Sequence, residues 1–317
     1  MSRYSKEGFL YEGILGLRKP IFGLDIGYST LKVMQLKGEG AGAKLLGVAE
    51  VQIEPKTLGK DGIKDKQKAT EAIWLAMKSA RPYPISAKIV SAALPESLVF
   101  TKSIDLPAMK IEEINKNIPY QVGEFFPIPA NEMYLDWQIV GQLPGKNLID
   151  VLVVAAPKKI VDSFAEVIKQ AGLELSSLET KPVSVVRALI GKNDPGPYLI
   201  LDIGAQTSSI ICFDQATIKL TSTISSGGDD LAKDFQPNIN NLASEIVHLI
   251  KYYQNRIGQA TIFRKIILAG GGANIPNLAL ALEQSTKIKT EIGWPQIKTK
   301  TYNPKFATVI GLAMKRV

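Results

Sequence analysis

The sequence predicts a two-lobed α/β fold with a small α+β subdomain inserted into the first lobe. Three observations predict this fold: the length of 317 residues, a repeated strand–turn–strand pattern, and a change of pattern between its two copies. A chain of this length exceeds one compact core, so about two domains are expected. Hydrophobic residues at 45% and charged residues at 21% are ordinary for a globular protein.

The repeat consists of an apolar run, then Asp-Ile-Gly, two further residues and Thr. The first copy, Ile21–Leu36, reads IFGLDIGYSTLKVMQL, and the second, Tyr198–Phe213, reads YLILDIGAQTSSIICF. Each apolar run fits a buried strand, and Gly27 and Gly204 permit a tight turn into a returning strand. Two such hairpins, far apart in the chain, predict two similar lobes.

The segment between the hairpins predicts the insertion. Before it, a helix is expected at Lys68–Lys78 and a strand at Ile89–Ala93. From Pro95 the pattern reads as strand, helix, strand, strand: VFTKSIDLP, a helix near Ile111–Val122, YLDWQIVG and LIDVLVVAAP. This order, with proline-rich turns between its elements, predicts a small α+β subdomain. A helix at Val161–Ala171, closed by Gly172, follows it.

The second hairpin is followed by ISSGGDDL and then by alternating helices and one strand. The predicted elements are a long helix from about Asn241 to Ile257, a strand Lys265–Ala269, a helix Asn277–Glu283 and a terminal helix Phe306–Met314. The strand ends in three consecutive glycines.

The predicted organisation has four parts. A leader spans 1–19, the first lobe spans 20–96 plus 173–195, the inserted subdomain spans 97–172, and the second lobe spans 196–317, with its own small subdomain reduced to 229–241. The leader fits either a weak amphipathic membrane contact or a frayed tail, and its three glycines favour the tail because glycine weakens a helix.

Composition excludes several classes of function. The single cysteine, Cys212, excludes an intrachain disulfide, and the single histidine, His248, leaves no Cys/His zinc cluster. Cys212 lies in the apolar run Ser209–Phe213, which predicts a buried small hydrophobe. No apolar run is long enough to cross a bilayer and the N-terminus lacks a signal-peptide core, so we expect a cytoplasmic protein.

The charge balance is basic, with 38 Lys and Arg against 30 Asp and Glu, a net charge of +8. Much of the excess lies near the end of the sequence: Lys287, Lys289, Lys298, Lys300, Lys305, Lys315 and Arg316. Such a bias favours anionic partners, among them nucleic acid or a membrane surface. No helix-turn-helix, RNP-like or zinc-finger pattern accompanies it. We therefore interpret it as a solvated face and expect no nucleic-acid partner.

These motifs resemble the superfamily of actin, Hsp70 and sugar kinases. The two Asp-Ile-Gly hairpins and ILAGGGANIPNL look like its two phosphate motifs and its adenosine motif. Within it, PIFGLDIGYSTLKVMQL, YQVGEFFPIPANEMYLDWQIVG, VLVVAAPKKIVDSF, ISSGGDDL and ATVIGLAMK are similar to the type IV pilus assembly family PilM, a relative of the division protein FtsA. The resemblance implies an actin-like (ribonuclease H-like) fold. The insertion matches the subdomain that PilM and FtsA carry in place of actin's second small subdomain.

The resemblance implies a site for ATP and Mg²⁺ between the lobes. The residues expected to contact the phosphates from the first hairpin are Gly27, Ser29, Thr30 and Lys32, and those from the second are Gly204, Gln206 and Thr207. Purine and ribose would pack on the bare backbone of Gly270, Gly271 and Gly272. Asp25 and Asp202 would hold Mg²⁺ through waters, since Mg²⁺ often binds through one or two carboxylates. The alternative for each glycine is a plain structural turn.

Two departures from the family pattern weaken the expected ATPase. An acidic residue usually precedes the proline that begins the last helix of the first lobe, but here Lys181 precedes Pro182. A cation cannot accept a proton from water, and Glu179 would point elsewhere at a strand end; Lys181 could instead pair with a phosphate. Moreover, only Ala232–Asn241 stands where the family has a helical subdomain that walls the adenine pocket. We therefore assign no catalytic residue and expect a weak or degenerate nucleotide site, with ATPase activity absent or very slow.

The resemblance also implies a partner, the N-terminal cytoplasmic tail of an inner-membrane PilN-like protein, docked in a groove beside the insertion. The apolar stretch from Phe125 to Pro129, within Ile111–Val140, either lines this groove or fills the subdomain's own core. The expected function is a cytoplasmic scaffold of type IV pilus assembly, peripheral at the inner face of the membrane. It would contact other pilus assembly proteins and touch the membrane only indirectly, and a homo-oligomer stays open.

Two other functions remain as alternatives. One is an ATP-binding and hydrolysing PilM-type ATPase whose turnover drives assembly. The other is an FtsA-like polymerising division protein. We rank the latter last, because FtsA ends in a linker and an amphipathic membrane helix, whereas this sequence stops at Val317 directly after its terminal helix.

Overall fold

The structure, a computed structural model, describes residues 19–38, 40–143, 145–258, 261–299 and 301–315. Apart from Lys19, the predicted leader lies outside these residues. The strands are β1 (Ile21–Ile26), β2 (Thr30–Lys37), β3 (Lys44–Gln52), β4 (Leu58–Gly59), β5 (Gly62–Ile63), β6 (Arg81–Pro82), β7 (Ile89–Leu94), β8 (Phe100–Pro107), β9 (Met133–Gln142), β10 (Leu148–Pro157), β11 (Glu174–Thr180), β12 (Tyr198–Ile203), β13 (Ser208–Asp214), β14 (Thr217–Ile224), β15 (Lys265–Ala269) and β16 (Thr290–Ile292). The helices are α1 (Lys66–Ser79), α2 (Ile111–Phe125), α3 (Lys158–Gln170), α4 (Lys181–Leu189), α5 (Gly228–Lys233), α6 (Phe235–Ile257), α7 (Leu278–Thr286) and α8 (Ala307–Ala313).

The first lobe is built on a six-stranded sheet in the order β11-β7-β1-β2-β3-β6. β1 pairs antiparallel with β2 and parallel with β7, which pairs parallel with β11. Alternate β1 residues, from Phe22 to Ile26, are buried in one core with Ile73 of α1 and Phe164 of α3. The side chains of β1 alternate between the two faces of the sheet, as in any strand. Gly23, on the other face, packs against α8.

The inserted subdomain is a three-stranded antiparallel sheet, β8-β10-β9, covered by α2. Its strand–helix–strand–strand order is the one predicted from the sequence. Ile114, Ile118 and Val122, spaced four residues apart on one side of α2, are buried against the sheet. This helix therefore presents its opposite side to solvent.

The second lobe is built on a five-stranded sheet in the order β14-β13-β12-β15-β16. Its core is closed by α6 and α7, which bury Ile246, Tyr253 and Leu282 among other residues. The hairpin β12–β13 repeats the pairing of β1–β2: Asp202 lies opposite Ser209 as Asp25 lies opposite Lys32. The predicted internal repeat is confirmed. Cys212, on β13, is fully buried, as predicted.

The beginning of α6 corrects one prediction. The long helix begins at Phe235, not near Asn241, so that Asp234 alone separates it from α5. The polar run FQPNINN looks like a linker, but the Asn238 side chain donates hydrogen bonds to the backbone carbonyls of Asp230 and Asp234. Ile239 is fully buried. In this first part of α6, the burial of Ile239 against the core thus outweighs the low helix propensity of the asparagines.

The two lobes meet at α4 and α8, which pack on each other. Gly311 of α8 lies directly against the backbone of Ser184 in α4. Around this contact, side chains from both sheets share one core, with Met34 from β2 and Ile200 from β12 among its members. The junction is therefore apolar and closely packed.

The insertion also contacts the second lobe. The Ser103 hydroxyl on β8 donates a hydrogen bond of 2.8 Å to the backbone carbonyl of Lys219 on β14, and the Lys219 ammonium donates to the carbonyl of Val140. Arg256 of α6 forms ion pairs with Asp150, at 2.7 Å, and with Asp105. These polar contacts make a second connection between the lobes, separate from the α4–α8 junction. No helix in the part of the chain that the structure describes is long and apolar enough to cross a membrane.

Candidate functional site

The two Asp-Ile-Gly turns face each other across a cleft of about 350 Å³ between the lobes. The predicted residues that line it are Gly27, Ser29, Thr30, Lys32, Asp202, Gly204, Gln206, Thr207, Gly271 and Gly272. Each turn is closed in the same way: the Gly27 N–H donates to the Thr30 carbonyl, and the Gly204 N–H to the Thr207 carbonyl, both at 2.9 Å. The folding of two local motifs from distant parts of the sequence thus produces one concave site.

Gly270 and Asp25, the other two predicted residues, lie behind the lining. Gly270 follows β15 with a φ of +80°, and a Cβ there would lie 2.6 Å from the Asp202 carboxylate. Glycine is therefore required at this position for both its backbone conformation and its closeness to Asp202. Asp25 is the last residue but one of β1 and has only 4% of its surface exposed.

Lys181 lies at the base of the cleft and forms an ion pair with Asp25. Its Nζ is 2.8 Å from Asp25 Oδ1, and both side chains are largely buried. Lys181 is the first residue of α4, where the helix dipole disfavours a cation. Burial likewise opposes the charged ammonium, but Asp25 and then Asp202 outweigh it and raise the pKa of Lys181. Two carboxylates therefore hold this cation in place.

The charge of the Lys181 ammonium also affects the pKa values of both carboxylates. Burial acts to raise the pKa of Asp25, but the charges of Lys181 and Lys32 together hold that pKa below its ordinary value. For Asp202 burial prevails and raises the pKa, with Asp25 adding to the rise and Lys181 opposing it. Asp25 is therefore the carboxylate more strongly held in the ionised form.

This arrangement does not fit the hydrated Mg²⁺ predicted at Asp25 and Asp202. Two unit charges about 4 Å apart interact by about 4 kcal/mol at an effective dielectric constant of 20, and a divalent ion beside a fixed ammonium is repelled roughly twice as strongly. Asp25 Oδ1 is already paired with the Lys181 ammonium. Among the residues described in the structure, no cluster of three or more acidic, His or Cys side chains is arranged for a metal.

The cleft also contains a charged group that sequence reasoning missed. Glu50 of β3 forms ion pairs with Lys32, at 3.5 Å, and with Lys305, which comes from the end of the chain. Lys32 also donates a hydrogen bond of 2.7 Å to the Thr30 hydroxyl. Lys305 and Glu50 are 255 residues apart. No local pattern could have joined them.

Of two further acidic residues, Glu96 lines the cleft and Glu179 lies outside its lining, and both accept hydrogen bonds. Glu179 points away from it, as expected for this strand end, and accepts hydrogen bonds from Arg187 at 2.6 and 3.0 Å and from Lys315 at 2.8 Å. Glu96 accepts hydrogen bonds from Thr101 and Thr221, and burial raises its pKa. Glu179 is therefore not placed as a base for a water in the cleft, whereas both threonine hydroxyls bond to Oε1 of Glu96 and its Oε2 has no hydrogen-bond partner among the described residues.

A second cavity, of about 320 Å³, lies between the insertion and the edge strand of the second lobe. We call it the insertion groove. It is lined by Glu96, Val99, Phe100, Thr101, Phe126, Thr221, Ser222 and Thr223. The rings of Phe100 and Phe126 contact each other, with their centroids 5.3 Å apart and their planes tilted by 31°. Glu96 lines both this groove and the inter-lobe cleft.

The groove separates the roles of the two predicted phenylalanines. Phe126 packs against the subdomain core and also lines the groove, whereas Phe125 is 43% exposed beneath the Lys102 ammonium, which lies 3.5 Å from its ring centroid. Phe126 therefore packs against the subdomain core and lines a groove, and the docking of a partner along this stretch stays a prediction.

The protein has an actin-like two-lobed α/β fold, defined by two similar lobes, paired hairpin turns and the cleft between them. The inserted subdomain distinguishes it from actin itself. A family model described as type IV pilus assembly protein PilM matches residues 23–236, more than half of the sequence. The chain belongs to this family. A model of cell division protein FtsA matches residues 199–311, within the second lobe.

Two curated relatives that match this chain are cell division proteins of the FtsA type. Cell division protein FtsA of Streptococcus pneumoniae serotype 2 is 24% identical over 238 residues, 67% of this chain and 51% of that protein. FtsA of Enterococcus hirae is 24% identical over 246 residues, 69% of this chain and 54% of its own length. The chain thus spans about half the length of the curated relatives it matches.

Among solved structures, a PilM–PilN type IV pilus biogenesis complex has a TM-score of 0.78 at 21% identity, covering 94% of this chain and 98% of that one. The ethanolamine utilization protein EutJ from Carboxydothermus hydrogenoformans has a TM-score of 0.54 at 15% identity, with 94% and 90% covered. MreB5 of Spiroplasma citri bound to ADP has 0.52 at 13% identity, with 92% and 94% covered. These likenesses show the actin-like fold.

Proposed function

We propose that this protein is a scaffold of type IV pilus assembly that binds the N-terminal cytoplasmic tail of a PilN-like inner-membrane protein. It would work in the cytoplasm, peripheral at the inner face of the membrane, with other pilus assembly proteins as further partners. Membership of the PilM family and the similar fold in a PilM–PilN complex support this proposal. The observation that favours a scaffold over an enzyme is the ion pair between Lys181 and Asp25.

That ion pair favours a scaffold because hydrolysis needs an acceptor for the proton of the attacking water. Lys181 occupies the position where the family resemblance implies an acidic residue, and a protonated ammonium accepts no proton. Glu50, which lines the cleft, is paired with Lys32 and Lys305, and Asp25, behind the lining, is paired with Lys181. A nucleotide in this cleft would therefore be bound weakly and turned over very slowly, if at all.

The insertion groove is the docking site we propose for the tail. It is lined by the apolar rings of Phe100 and Phe126 beside hydroxyl groups of the edge strand β14. An extended peptide could hydrogen-bond to the backbone of such an edge strand while an apolar side chain enters the groove. Cavities of roughly 300 Å³ and more are large enough to bury side chains of a ligand.

A binding titration with a variant that fills the groove tests this proposal. The titrant is the N-terminal cytoplasmic peptide of the PilN-like protein encoded by the same organism, followed by fluorescence anisotropy. Wild-type protein should bind tighter than roughly millimolar. Thr223→Arg, which fills the groove from an exposed position on β14, should weaken binding at least about tenfold, or about 1.4 kcal/mol.

Ser285→Arg is the matched control, since it adds the same charge and bulk at an exposed position on α7. It should bind like wild-type protein. Absence of binding by wild-type protein would refute the scaffold function, whereas equal binding by Thr223→Arg would leave the function intact and refute the location of the site.

The second candidate function is an ATP-hydrolysing PilM-type ATPase, favoured by the assembly of both hairpin turns and Lys32 around one cleft. Release of phosphate from ATP by wild-type protein, above that of a sample inactivated by heat, would support it. Lys181→Glu would restore an acidic residue and should then raise the rate. No phosphate release by either protein would exclude this candidate.

A further inference from the structure

We propose that the Lys181 ammonium takes the place of a divalent cation between Asp25 and Asp202, so that the inter-lobe cleft binds a polyphosphate ligand without metal. The inference concerns the same cleft as the weak nucleotide site proposed above and rests on that part of the proposed function. It does not involve the insertion groove.

The position of Lys181 carries the argument. Its ammonium is 2.8 Å from Asp25 Oδ1, and its charge also acts on Asp202, the equivalent residue of the second hairpin. A cation between the aspartates of two facing hairpin turns neutralises them from both lobes at once. Lys181 supplies that positive charge covalently, from the first turn of α4, so that no chelator can remove it.

The backbone fixes this lysine in place. Pro182 follows it at the start of α4, and α4 packs closely on α8 across the lobe junction. The ammonium is buried, and a second lysine of the cleft, Lys32, lies on the other strand of the first hairpin. A free metal ion would have to displace a tethered cation that is already desolvated, which costs far more than filling an empty site.

The rest of the cleft suits phosphate groups. The turns contribute the hydroxyls of Ser29, Thr30 and Thr207 and the backbone between them, and Lys32 adds a cation beside the Thr30 hydroxyl. Hydroxyl and ammonium donors neutralise and orient phosphate oxygens directly. The ligand class is therefore a nucleoside polyphosphate or a similar polyphosphate ester, bound through protein donors alone.

Calorimetric titration with ATP in two buffers tests the proposal, one with excess magnesium chloride and one with excess EDTA. Wild-type protein should bind with affinities that agree within about threefold between the buffers. Lys181→Gln removes the tethered charge and frees both aspartates, so magnesium should strengthen its binding of ATP at least about tenfold.

Lys305→Gln is the matched control. It removes one positive charge from the same cleft, where Lys305 pairs with Glu50 and not with the aspartates. Its binding should weaken to the same extent in both buffers, leaving the magnesium dependence like that of wild-type protein. A variant effect caused by overall charge would instead appear in both lysine variants.

Three results would overturn the proposal: a tenfold or greater requirement for magnesium in wild-type protein, an unchanged magnesium dependence in Lys181→Gln, and no binding of ATP by wild-type protein in either buffer. The wild-type comparison decides the matter even if Lys181→Gln fails to fold. Peptide titration of the same preparations shows separately whether the scaffold function holds.

Discussion

Replacing Gly311 with alanine tests the close packing of α4 and α8 at the lobe junction. A Cβ built on Gly311 would lie 2.5 Å from the carbonyl carbon of Ser184 and 3.0 Å from its Cα, and closer still to its carbonyl oxygen. Ordinary contact begins at 3.4 Å and the Ser184 carbonyl oxygen would lie at 1.8 Å, so the helices would have to separate by about 1.6 Å. Since the obstructing atoms belong to the backbone, no rotation of a side chain relieves the overlap.

The expected cost follows from two opposing terms. Alanine gains about 1 kcal/mol over glycine inside a helix. Overpacking of a close interface costs about 1–3 kcal/mol, and backbone overlap puts this contact at the upper end. The net change should therefore be a loss of about 2 kcal/mol in the free energy of unfolding.

Gly123 offers a matched control, because it also lies inside a helix, α2, but a Cβ there meets nothing within 4 Å. Gly123→Ala should gain about 1 kcal/mol from helix propensity alone. Thermal unfolding followed by circular dichroism should therefore rank the proteins with Gly123→Ala above wild type and Gly311→Ala several degrees below it. A Gly311→Ala variant that melts at or above the wild-type temperature would refute the packing argument.

Three further predictions concern buried polar groups. Arg256→Met should lower the free energy of unfolding by about 3–5 kcal/mol, measured by urea titration, because it leaves Asp150 buried without its partner. The Cys212 thiol should stay unreactive to Ellman's reagent until the protein unfolds, since it is fully buried and burial raises its pKa. Burial raises the pKa of Glu96 above its ordinary value of 4.5, which it keeps in the unfolded state. The folded state therefore loses stability as the pH rises from 4.5 to the higher pKa of the folded protein. Glu96→Gln should therefore melt higher than wild-type protein above neutral pH, with an advantage that shrinks as pH falls toward 4.5; a constant difference would contradict this.

Local motifs determined how much of the fold the sequence could predict. Each feature that was predicted correctly depends on residues close together in the sequence. These features are the Asp-Ile-Gly hairpins, the strand–helix–strand–strand insertion and the helix end at Gly172. The start of α6 was missed because its helix depends on the burial of Ile239 by distant residues and not on propensity.

In the candidate site, too, local features could be predicted from the sequence and long-range contacts could not. The two hairpin turns could be predicted from their own residues, and the family resemblance implied that they face one cleft. The partner of Lys181 could not, because Asp25 lies 156 positions earlier and only folding brings the two together at 2.8 Å. Glu50 and Lys305 were missed for the same reason. An ion pair between residues far apart in the sequence produces no local pattern or periodicity from which it could be predicted.

The Glu96 side chain lines two cavities, the inter-lobe cleft and the insertion groove. It also accepts a hydrogen bond from Thr221 of the second lobe. A ligand that shifts this side chain on one side changes the shape and the charge on the other. Thermodynamic linkage then requires reciprocity: any factor by which a phosphate ligand alters the affinity of the groove for a peptide must equal the factor by which the peptide alters the affinity of the cleft. A coupling of about 1–3 kcal/mol would make a ligand of the cleft an effector of binding in the groove.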